Sequence, residues 1–172
     1  MRDFDDNDFP LAYLITFRCY GTWLHGDGRG SMDRKHNIYR TAKIAANPAF
    51  ENSDRQQLKR PPMTLSARER AVVRKAVREV CLHRKYVPHC INVRTNHAHS
   101  VVSAMCKPEP VLDAFKSYST RALRAAGLIS ATQKPWARHG STIYLWKEKD
   151  VAKAIEYVML SQGDDLFKLD DD

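Results

Sequence analysis

The chain has 172 residues and a mass of 19.7 kDa, the size of one compact domain. With 43% hydrophobic and 28% charged residues it has apolar material enough for a core, which excludes a wholly disordered chain. No apolar run approaches the ~18 residues of a membrane span, and the start Arg2-Asp3-Phe4-Asp5-Asp6 lacks a signal-peptide pattern.

The net charge of +8 is unevenly placed. Residues 1–8 hold one Arg and four Asp, and residues 164–172 hold one Lys and five Asp, which leaves a body charge of +15 over residues 9–163. A body that basic predicts a polyanionic partner, nucleic acid first, with a generically basic surface as the other reading. Cys19, Cys81, Cys90 and Cys106 form no CxxC pair, so reduced thiols in a cytoplasmic protein are expected rather than disulfides or a zinc knuckle. The expected organisation is one domain over residues 9–163, between acidic tails at 1–8 and 164–172.

In chain order, residues 11–24 (LAYLITFRCYGTWL) read as a strand, broken near Gly21. Residues 26–63 are rich in Gly, Pro and Asn, show little periodicity and hold eight basic against four acidic residues, which predicts a long basic insertion loop. Ser66 and Glu69 form a capping-box pattern ahead of a helix whose apolar face is Val72, Val73, Ala76, Val77, Val80 and Cys81. Residues 86–94 and 97–105 read as two strands joined by a tight turn at Thr95-Asn96. A second helix is expected over about 109–126, ending at Gly127. A short strand at 142–146 and a third helix over about 149–162 follow. Leaving aside the insertion and the last helix, the order βαββαβ predicts an α+β fold, the ferredoxin-like split βαβ antiparallel sheet with helices on one face.

His97-Ala98-His99 is the first candidate for chemistry. On a strand both imidazoles face one way with Cβ atoms ~7 Å apart, and two ring nitrogens can converge on one divalent metal at ~2.0–2.2 Å. Two half-exposed strand histidines with no ligand role are the alternative. Tyr157 lies ~240° round the third helix from Val151, so it flanks the apolar stripe. A simple rim residue is the alternative there. Tyr118, beside the stripe of the second helix, is the rival tyrosine and is expected to be packed.

Asn96-His97-Ala98-His99-Ser100-Val101-Val102 resembles the metal-binding strand of the His-hydrophobic-His single-strand nucleases, specifically the IS200/IS605-like Y1 transposases. The segment from Trp136-Ala137-Arg138-His139 through Lys149-Asp150-Val151 to Glu156-Tyr157-Val158 resembles the REP-associated tyrosine transposase branch. The resemblance follows residues 11–162 in element order, with its specific motifs on about fifteen positions. It implies a split βαβ sheet with the tyrosine on an additional helix. It further implies His97 and His99 as ligands of Mg²⁺ or Mn²⁺, Tyr157 as nucleophile, and nicking and rejoining of single-stranded DNA beside a hairpin through a 5′-phosphotyrosine. The family's amide ligand one turn after the tyrosine is replaced here by Ser161, with Gln162 one residue later and ~140° from Tyr157 on an ideal helix. Gln162 on a locally overwound helix, a ligand from elsewhere, and weak metal affinity are therefore all open.

Arg29, Arg34, Lys35, Arg40 and Lys43, interleaved with His36 and Tyr39, suit phosphate contact and base stacking, and Lys59 and Arg60 extend the set. A solvated charged loop is the alternative. A non-catalytic hairpin-binding descendant of a transposase is the competing function. An RNA-recognition sheet ranks lower for want of stacking aromatics on its central strands. A two-histidine phosphoesterase ranks lower because the chain has one His-Ser pair, at His99-Ser100, without the spacing that class needs. The expected setting is a prokaryotic, nucleoid-associated protein, with monomer and homodimer both open.

Overall fold

The computed structural model describes residues 9–22, 24 and 45–160. The elements are β1 (Ala12–Cys19), α1 (Pro48–Gln56), α2 (Ala67–Arg84), β2 (Val87–Val93), β3 (His97–Ser103), α3 (Pro108–Ala125), β4 (Trp136–Leu145) and α4 (Glu148–Leu160). The four strands form one antiparallel sheet in the order β2-β3-β1-β4. This is the split βαβ topology that the element order predicts. No helix among the described residues is long and apolar enough to cross a membrane.

Alternation along β1 divides the molecule into two cores. Tyr13, Ile15, Phe17 and Cys19 point to one face, where α2 and α3 bring Val73, Val77, Val80, Phe115 and Leu123 against them. Ala12 and Leu14 point to the other face and pack with Val101, Leu145 and, from α4, Ala154 and Val158. Burying a Phe or Leu side chain contributes about 1.5–3 kcal/mol, so the larger core on the α2/α3 side dominates stability. Among the described residues, the smaller core seats α4 on its face.

The expected capping box is present: Ser66 N–H donates to Glu69 Oε2 at 2.6 Å, and Glu69 N–H donates to Ser66 Oγ at 3.3 Å. Two elements differ from expectation. The insertion read as loop over 26–63 contains α1, capped by Asn47, whose side-chain oxygen accepts from the N–H groups of Ala49 and Phe50. This helix buries no residue, so it imposes no apolar period on its sequence. It is supported instead by its cap and by the Arg55–Glu51 ion pair at 2.7 Å.

The last strand begins at Trp136 rather than at 142. It lies at the edge of the sheet, and its residues 138–141 (Arg-His-Gly-Ser) are exposed, so no apolar alternation marks them as strand. Gly140 is required by close approach. A Cβ there would stand 2.6 Å from the Thr16 carbonyl oxygen and 2.9 Å from both methyl carbons of Leu112.

Candidate active site

The period of two along β3 sends Ala98 and Val102 into the α2/α3 core and leaves His97, His99 and Val101 on the α4 face. Pairing then sets the neighbours. Thr16 and Asn92 lie opposite His99 on the two flanking strands, and Arg18 lies opposite His97. The two imidazoles have ring centroids 4.4 Å apart at 73°. That is close enough for one ion at about 2.0–2.2 Å from a nitrogen of each.

Each imidazole is held through Nδ1. His97 Nδ1 donates to Asn96 Oδ1 at 2.6 Å. Because an amide oxygen only accepts, this bond puts a proton on Nδ1 and leaves Nε2 as the nitrogen available to a metal. His99 Nδ1 pairs with Thr16 Oγ1 at 2.8 Å. Burial, followed by the positive charges of His97, Arg18 and Arg94, pulls the His99 pKa down from 6.5 to about 3. His99 is therefore neutral at physiological pH, the state a metal ligand needs.

Helix α4 brings Tyr157 to the same place. Ala154 and Val158 are its buried residues, and Tyr157, one position before Val158, packs at the margin of that core. Its ring stands edge-on to His99, with centroids 5.4 Å apart at 71°. Asn92 Nδ2 donates to the Val158 carbonyl at 2.8 Å, tying the helix to β2 beside the histidine pair.

Tyr118 lies elsewhere. It sits on α3, packs against the α2/α3 core and carries the Arg121 guanidinium 4.4 Å over its ring. Among the described residues, no group of three His, Cys, Asp or Glu side chains is placed to hold a metal ion. A metal at His97 and His99 would thus complete its shell with amide, hydroxyl, water or phosphate oxygens. The two imidazoles, each oriented by a hydrogen bond at Nδ1, fit such an ion.

Gln162 and Ser161 lie outside the described residues, as do Arg29, Arg34, Lys35, Arg40 and Lys43. Lys59 and Arg60 are described. Lys59 is exposed and its backbone N–H donates to the Tyr20 hydroxyl at 3.1 Å, while the Arg60 guanidinium stacks 4.3 Å over the Tyr20 ring. Tyr20 follows β1 directly, so both residues lie at the end of the sheet that carries Arg18.

Sequence reasoning missed Thr16, Arg18, Asn92 and Arg94. A usable signal existed for the first pair. Thr16 and Arg18 are the two polar side chains in an otherwise apolar strand, two residues apart, and so share a face.

Together the fold and the site define a split βαβ antiparallel sheet that presents a histidine pair and a helical tyrosine on one face. No protein-family model matches the chain, and no curated protein matches it. Solved structures do. The chain is similar to a REP-associated tyrosine transposase bound to a REP hairpin, with a TM-score of 0.49 and 12% identity over 94% of this chain and 72% of that one. It is also similar to a candidate transposase from Deinococcus radiodurans R1, with a TM-score of 0.45 and 11% identity over 92% of this chain and 95% of that one.

Proposed function

We propose that this chain is a metal-dependent enzyme that nicks and rejoins single-stranded DNA beside hairpins, with Tyr157 as nucleophile and His97 and His99 as metal ligands. The observation that carries the reading is the meeting of Tyr157 with His99, 5.4 Å between ring centroids, on a face also lined by Arg18. The motif resemblance of the histidine strand and the tyrosine helix supports it, and so does the +15 body.

In the reaction, the Tyr157 oxygen attacks the scissile phosphorus. An oxygen–phosphorus bond forms to the tyrosine and the bond from phosphorus to the 3′ oxygen breaks, giving a 5′-phosphotyrosine and a free 3′ hydroxyl. The phenol proton passes to solvent, and the departing 3′ oxygen takes one up. A phenol of pKa ~10 needs help to ionise at neutral pH. Bound Mg²⁺ or Mn²⁺ would supply positive charge against the phosphate. Arg18 and Arg94, close enough to depress the His99 pKa, add fixed positive charge for the same phosphate. The bond energy retained in the phosphotyrosine permits rejoining by the reverse attack, so no nucleotide cofactor is required. Gln162 is the proposed third ligand, and the basic residues from Arg29 to Arg60 named above are the proposed DNA contacts.

The test is capture of a covalent protein–DNA adduct on a labelled hairpin oligonucleotide with Mn²⁺. A denaturation-resistant adduct supports the reading. Hairpin binding with no adduct across a panel of hairpins replaces it with that of a hairpin-binding protein without catalysis.

A further inference from the structure

We propose that a cleft between α3 and the start of β4 is a second nucleic-acid contact, which seats the phosphodiester backbone of the strand held at the histidine face. The identity of that strand rests on the function proposed above, whereas the cleft is read from its own residues. Its volume is about 450 Å³, and among the described residues it is lined by Lys116, Arg124, Lys134 and Arg138, with Asp113 the one carboxylate and Thr120 supplying a hydroxyl.

The cleft is rigid by construction. Lys116 Nζ donates to the carbonyls of Ala137, Arg138 and His139 at 2.9, 3.2 and 3.2 Å, which pins the start of β4 to α3. Trp136 Nε1 donates to Lys116 O and Thr120 Oγ1, both at 3.1 Å, and closes the floor. Arg124 is anchored by a bond to the Gln133 carbonyl at 3.1 Å. Lys134 and Arg138 are exposed at the mouth. Three exposed cations, Arg124, Lys134 and Arg138, against one carboxylate on walls pinned by Lys116 are an arrangement that binds a polyanion with little reorganisation.

Position links the cleft to the site. Trp136 pairs with Cys19 and Gly140 with Phe17, while Arg18 pairs with His97, so cleft and histidines occupy the same end of the sheet. Their strands, β3 and β4, lie two interstrand spacings apart, about 10 Å, and the cleft opens on the α3 face of the sheet, opposite the histidines. β4 is the sheet edge, and a strand leaving the histidine face enters the cleft by rounding it.

The experiment titrates the full chain with a 5′-fluorescein single-stranded oligonucleotide containing a hairpin, read by anisotropy from roughly 50 to 200 mM salt. The double variant Lys134→Gln, Arg138→Gln is compared with Arg68→Gln, Lys75→Gln, an equal loss of charge at exposed positions on α2. The cleft variant is expected to raise Kd about tenfold or more and to lower the slope of log K against log salt by about 1 to 2, with a clearly smaller effect from the α2 variant. Equal effects of the two variants, or no effect of the cleft variant, overturn the proposal. Adduct formation by the wild type is scored in parallel. An adduct with an ineffective cleft variant removes the cleft and leaves the catalytic reading standing. An effective cleft variant with no wild-type adduct does the reverse.

Discussion

Tyr157 meets His99 edge to face, 5.4 Å between ring centroids, across the boundary between a helix and the sheet beneath it. Two short-range patterns produce the contact. The period of two along β3 turns His99 toward α4, and burial of Ala154 and Val158 turns Tyr157 toward the sheet. The small core under α4 thus does more than add stability, because it fixes which side chain of the helix lies over the histidines.

Replacing Tyr157 by Phe keeps the ring and its packing and removes the oxygen. The variant is expected to lose the covalent DNA adduct by at least two orders of magnitude on the scale of lost nucleophilic groups, with hairpin affinity unchanged. Tyr118→Phe, on the other side of the sheet, is expected to retain both. Denaturing gels of labelled oligonucleotide, alongside anisotropy binding, check the pair. An adduct that survives Tyr157→Phe and disappears with Tyr118→Phe reverses the assignment.

Thr16→Val keeps the shape of the side chain and deletes its bond to His99 Nδ1. Loss of an orienting partner behind a ligating histidine typically weakens metal binding about 10–100-fold. The expected result is a right-shifted Mn²⁺ titration by electron paramagnetic resonance, with about 1 kcal/mol lost in stability of the metal-free protein. An unchanged titration would remove Thr16 from the site.

Local physics made most of this arrangement legible in advance. The capping box at Ser66 and the apolar face of α2 are short-range signals and gave that helix. The alternation at His97-Ala98-His99 gave a shared face, with Ala98 buried at 2% exposure on the opposite side. Tyr157 was placed at the margin of its stripe by angle alone. What stayed hidden depends on partners distant in sequence. Thr16, Arg18 and Asn92 join the site through strand register, which no local pattern specifies. The start of β4 stayed hidden because an exposed edge strand has no apolar face to betray it.

Gly140 tests that edge. An added methyl would meet the Thr16 carbonyl oxygen at 2.6 Å, and backbone on a central strand has no room to withdraw. Gly140→Ala is expected to cost about 1–3 kcal/mol, with the melting temperature falling by several degrees for a chain of this size. The same substitution at Gly127, where an added Cβ meets nothing within 4 Å, probes a different cost, that of a backbone held at φ +69°. Thermal denaturation followed by circular dichroism separates the two. A Gly140→Ala variant as stable as the wild type would contradict the packing of β1 and α3 against β4.

The depressed pKa of His99 predicts how stability responds to acid. The imidazole titrates near 6.5 when unfolded and at about 3 in the fold, chiefly because it is buried and secondarily because His97, Arg18 and Arg94 repel a further positive charge. Between those values the unfolded chain holds a proton at this position that the folded chain does not. Stability is therefore unaffected by His99 above about pH 6.5 and declines as pH falls from 6.5 toward 3, by at most about 1.4 kcal/mol per unit. In His99→Gln that contribution is absent while the carboxylates common to both proteins remain. Urea denaturation from pH 7.5 to 4.5 should show the wild type losing more stability than the variant, with the two curves parallel above pH 6.5. Curves parallel over the whole range would mean that His99 takes up its proton in the folded protein, and its desolvation between the sheet and α4 would then have to be abandoned.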